Sequence, residues 1–220
     1  MSGNNEERHR LQRIDPVREA ACLAEDAERY RQLALSLGAT DALVIDTATI
    51  PVDDRVLLKC RVPLCSSYGI CGNCPPHCPH PDEMRRFLAG FRTAVVFRSA
   101  VSSPAITAQE GHKEELKTLR RGLYGLTSAL ESAAFYDGHY FAAGFASGSC
   151  KTLYCRDQEC AVVSGERCRQ SLRARPAMEA VGIDCFALTA RLGWVIYPIG
   201  KTASPDEIPS SFLMGVVLVG

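Results

Sequence analysis

Nine of the eleven cysteines in this 220-residue chain fall in two short groups, and no other feature restricts the fold as much. The first group is Cys60, Cys65, Cys71, Cys74 and Cys78; the second is Cys150, Cys155, Cys160 and Cys168. The first lies in a stretch that also holds Pro63, Pro75, Pro76, Pro79 and Pro81. A segment so rich in proline lacks the amide donors of a regular ladder, so something other than backbone pairing must fix it. Thiols that cluster in a reducing compartment point to metal or redox chemistry rather than to structural disulfides. An odd count of eleven argues the same way.

The opening MSGNNEERHRLQRIDP has no apolar stretch behind a basic region, as a secretory leader would. The apolar run from Phe212 to Gly220 is too short to span a bilayer. A cytoplasmic protein with no membrane partner is therefore expected. Lys plus Arg and Asp plus Glu both number 25, so net charge gives no reason to expect nucleic acid.

The spacing of ligands bears on the metal. Structural zinc usually takes two short Cys-x2-Cys pairs, each gripping one edge of a tetrahedron. The second group has no such pair, and the first has one, Cys71-x2-Cys74, which continues to Cys78-Pro79. That tail resembles the end of a bacterial ferredoxin run, where proline follows the last ligand. The reading is two iron–sulfur clusters of the 4Fe–4S type, with all nine clustered cysteines as candidate ligands and zinc as the alternative. Five cysteines compete for four places in the first group, and the last place lies between Cys71 and Cys78. Cys22 and Cys185 read as small buried hydrophobes. His77 and His80 read as solvated or as supports to ligands. Arg156, Arg167, Arg169, Arg173 and Arg175 gather near the second group. They could offset cluster charge, form an exposed basic face, or receive a small anionic substrate or acidic redox partner.

Periodicity supplies the frame. Residues 1–14 read as a flexible arm and 15–220 as one domain. Helices are expected over Pro16–Leu37, 82–89, 109–136, 176–182 and 184–192. In the longest, Leu116, Leu119, Leu123, Leu126, Leu130 and Ala133 step by three and four and form one buried stripe. Strands are expected over 42–50, 56–58, 93–101, 139–145, 194–199 and 213–219, with Asp53-Asp54 as a turn. The fold class is α/β (mixed α+β): one mixed sheet of about five or six strands, flanking helices, and two cysteine-rich metal-binding loops at 60–81 and 150–168.

Several segments resemble a prokaryotic family described as a predicted metal-binding protein, domain of unknown function 2284. They are Lys59-Cys60 through Cys65, Tyr68-Gly69, Cys74-Pro75-Pro76-His77, Cys168-Arg169, the run Ala174 to Asp184, and Gly193-Trp194 with Tyr197-Pro198-Ile199-Gly200. The resemblance covers about residue 40 to the end. It implies iron–sulfur binding, with Cys60, Cys65 and Cys74 at recurring positions and Cys150, Cys155, Cys160 and Cys168 as a four-ligand motif. The functions expected are electron transfer or an accessory redox role in anaerobic metabolism, an enzyme with an open-site cluster, or a zinc-stabilised interaction module. No nucleotide-binding glycine loop and no Ser–His–Asp order is present.

Overall fold

Two long apolar runs make the centre of the fold. Thr93–Val101 (TAVVFRSAV) forms β2 and Ser211–Val219 (SFLMGVVLV) forms β4, and the two pair antiparallel from Thr93 opposite Val219 to Val101 opposite Ser211. Both faces of these strands are covered, so their apolar residues run on rather than alternate. Val95, Val96, Phe97, Val216 and Leu218 have essentially no accessible surface. Each such side chain contributes on the order of 2 kcal/mol from burial.

The computed structural model describes residues 13–200 and 202–220. β1 (Asp41–Asp46) pairs antiparallel with β2, and β3 (Ala143–Phe145) pairs antiparallel with β4. The order is β1-β2-β4-β3, so the last strand of the chain lies inside the sheet. The helices are α1 (Pro16–Ser36), α2 (Leu58–Arg61), α3 (Pro81–Leu88), α4 (Ser103–Ile106), α5 (Lys113–Tyr136), α6 (Cys150–Tyr154) and α7 (Cys185–Arg191).

One face of the sheet packs Val95, Phe97, Val217 and Val219 against Leu23, Tyr30 and Ala34 of α1 and Leu123 and Leu130 of α5. The other packs Ala94, Val96, Val216 and Leu218 against Met84 and Leu88 of α3, Leu188 of α7, and Met178 and Trp194. The result is an α/β fold with an open sheet between two helical layers.

Three expectations about the frame are corrected. The sheet has four strands, all antiparallel, rather than five or six in a mixed arrangement. Residues 54–61 are helical, not a strand: Asp53 accepts from the Arg55 amide at 2.8 Å and starts a 3-10 turn that runs into α2. Residues 194–199 form no ladder; Trp194 is buried in the second core, and Pro198 has no amide to donate. Residues 1–12 of the expected arm lie outside the described residues.

Candidate metal centre

The first loop leaves α2 and reaches α3, so the turn before it and the helix after it frame its two ends. Asp54 lies in the 3-10 turn. His80 immediately precedes Pro81, the first residue of α3, and its amide donates to the Glu83 carboxylate at 2.9 Å. Asp82 occupies the first turn, where a carboxylate is favoured by the positive helix end. One donor atom each from Asp54, His80 and Asp82 lie within 4.8 Å of one another. All three residues are exposed. Nδ1 of His80 is 3.8 Å from Oδ2 of Asp82. Arg85, one turn along α3, donates to Oδ2 of Asp54 at 2.8 Å and to Oδ1 of Asp82 at 2.5 Å.

Two carboxylates and an imidazole are a borderline-hard donor set. It suits zinc and similar divalent ions, and three protein donors leave a position for water. Among the described residues this is the only group of three or more His, Cys, Asp or Glu donors that converges so closely. It contains no cysteine. The expectation of two cysteine-ligated 4Fe–4S clusters is therefore corrected, and with it the redox and open-cluster functions and the pair of metal-binding cysteine loops. What converges is a single Asp/His/Asp site of mononuclear type.

The reason lies in where the loop turns aim the sulfurs. Cys71 Sγ meets Cys150 Sγ of the other loop at 3.6 Å, Cys74 Sγ approaches Ser149 Oγ at 3.5 Å, and Cys78 Sγ donates to the Ala180 carbonyl at 3.1 Å. Cys65 is exposed, whereas Cys60 and Cys78 are half-buried. In the second group, Cys160 Sγ accepts from the Gly72 amide at 3.3 Å and Cys168 Sγ from the Gln170 amide at 3.4 Å, while Cys155 is half-buried. Burial raises the Cys155 and Cys60 thiols and pushes Cys78 up to about 11. Cys150, Cys155, Cys160 and Cys168 all line one small cavity, and a sulfur–sulfur contact at 3.6 Å joins the two groups.

Residues 43–219 match the profile of the family described as Predicted metal-binding protein (DUF2284). The chain belongs to this family. No curated protein and no solved structure matches it. The DUF2284 profile spans both cysteine loops and the Asp54, His80 and Asp82 site. Among the described residues, no helix is long and apolar enough to cross a membrane.

Other sites on this DUF2284 chain part from expectation in smaller ways. Cys185 is buried in the second core, as read, but Cys22 is only half-buried. His77 turns back onto the Gly69 carbonyl at 3.1 Å. Arg175 does not face a free anion; it is paired with Glu131 at 2.7 Å. Asp54 and Asp82 carry no motif in the sequence. The usable signals were Asp53-Asp54 as a turn and His80-Pro81-Asp82 as a helix start.

Proposed function

We propose that this protein binds one divalent ion of the zinc type at Asp54, His80 and Asp82, and that the ion fastens the two ends of the first loop to each other. The observation that carries this reading is the convergence of three donor atoms from two separate chain segments within 4.8 Å. Metal bound there would add a cross-link between the turn at 54–57 and the start of α3, in the manner of a metal-stabilised interaction module. The loop so framed presents Val62 and Leu64 to solvent, 71% and 69% accessible, which is apolar surface such a module can offer to a protein partner.

Cobalt(II) tests the reading, because thiolate ligands give it an intense sulfur-to-metal absorption that oxygen and nitrogen ligands do not. One equivalent should bind with only weak visible bands, and Asp54→Asn with His80→Ala should abolish it. A strong sulfur band, or binding unchanged in the double variant, would overturn the assignment.

A further inference from the structure

The two cysteine loops bring the sulfurs of Cys71 and Cys150, 79 residues apart in the chain, to 3.6 Å. Both are buried, and both belong to the core cluster that includes Leu123, Tyr124 and Leu153. The docking of the loops around them is tight. The Gly72 amide donates to Cys160 Sγ at 3.3 Å, and Asn73 Nδ2 to Cys150 Sγ at 3.5 Å. A Cβ on Gly72 would lie 2.5 Å from Val162, so only glycine permits this approach. A disulfide has a sulfur separation of about 2.05 Å, so the observed pair needs to close by roughly 1.5 Å.

We propose that Cys71 and Cys150 are a dithiol–disulfide couple that locks the first cysteine loop to the second, with hydrogen peroxide as oxidant and a small dithiol as reductant. Cys150 also walls a cavity of about 20 Å³ beside Gly72 and Asn73, shared with Cys155, Cys160 and Cys168 and with room for about one water-sized molecule. Either sulfur of the pair can donate to the other. The S–H groups of Cys150 and Cys74 both donate to Cys71 and hold its thiol well below the ordinary range, while Cys74 and Cys150 are held above theirs.

The chemistry balances on these two sulfurs. With the proton on Cys150, the Cys71 thiolate attacks one peroxide oxygen; the O–O bond breaks and Cys71 becomes a sulfenic acid. The hydroxide released takes the proton from Cys150 and leaves as water. The Cys150 thiolate then attacks the Cys71 sulfur, the S–S bond forms, the S–O bond breaks, and a second hydroxide departs. The sulfurs lose two electrons and the peroxide gains two. A dithiol reverses the step by thiol–disulfide exchange and becomes a disulfide itself.

The full chain, purified reduced under nitrogen, would be treated with one equivalent of hydrogen peroxide and digested without reductant. Mass spectrometry should find one dominant linked peptide joining the Cys71 and Cys150 fragments. Dithiothreitol should reverse it. The link should be lost in Cys71→Ser and in Cys150→Ser and retained in Cys185→Ser, whose thiol lies outside the contact. The wild-type peptide map decides the question even where a variant does not fold. Unreacted thiols, sulfinic acid at Cys71 without a link, or links spread over other cysteine pairs would each overturn the proposal.

Discussion

The Arg85 guanidinium donates to Oδ2 of Asp54 at 2.8 Å, and so neutralises one of the carboxylates that a cation would use. Its other terminal nitrogen holds Asp82 at 2.5 Å. A metal entering between these groups must displace both contacts. Arg85→Gln should therefore tighten zinc binding, modestly because the pairs are exposed. Calorimetry against a competing chelator measures this. Equal or weaker affinity in the variant would mean that Arg85 does not compete for the site.

Glu131 of α5 carries more structural weight than any charge at the metal site. Its two carboxylate oxygens accept from Arg175 at 2.8 and 2.7 Å, and one also accepts from the Gly144 amide of β3 at 2.6 Å. The pair is largely shielded, with side chains 21% and 15% accessible. Glu131→Ala leaves a shielded guanidinium without its counter-charge, though Arg175 still donates to the Ser171 and Ala174 carbonyls, and leaves the Gly144 amide without its acceptor. The expected cost is about 3 kcal/mol of unfolding free energy, read from urea denaturation. Glu131→Gln keeps an acceptor for Gly144 and should cost less; equal losses in the two variants would contradict this account.

Gly215 sits opposite Phe97 in the central strand pair, and an added Cβ would lie 2.8 Å from the ring and 3.0 Å from the Phe145 carbonyl. Neither neighbour is free to move, since Phe97 has no accessible surface. Gly215→Ala should destabilise the fold by about 2 kcal/mol through overpacking. A thermal midpoint equal to that of the parent would show that the ring has somewhere to go.

On the surface of α1, Arg31 donates twice to Glu28 at 2.8 and 2.7 Å, and with Gln32 it draws the Glu28 carboxyl down from 4.5 to about 2. A lowered carboxyl pKa contributes stability above its unfolded value, and this contribution is lost as pH falls through the folded one. The window thus runs from about pH 4.5 down to about pH 2. Because the pair is exposed, its effect on global stability should be small. Carboxyl NMR titration should place the Glu28 midpoint near 2, and Arg31→Ala should raise it toward 4.5. A midpoint already near 4.5 in the parent would show that the pair does not form in solution.

Much of the frame is legible from local pattern. The Leu116 to Ala133 stripe becomes the buried face of α5, and TAVVFRSAV becomes β2. The helix starting after Asp184 is capped where that residue accepts from the Ala187 amide at 2.9 Å. The short apolar run Val56-Leu57-Leu58 misleads, because a side-chain cap at Asp53 outweighs β propensity over so few residues.

By itself the sequence determined the long helices, the two central strands and membership of a metal-binding family, because each rests on neighbours within a few positions or on an extended pattern of residues. Only the tertiary structure decided which donors converge. Asp54 and Asp82 come from different segments, joined at the Arg85 guanidinium, and Cys71 meets Cys150 of the other loop as well as its neighbour Cys74. Spacing along a chain limits how far apart side chains can be, but their direction is set by turns and by the core against which each loop is docked.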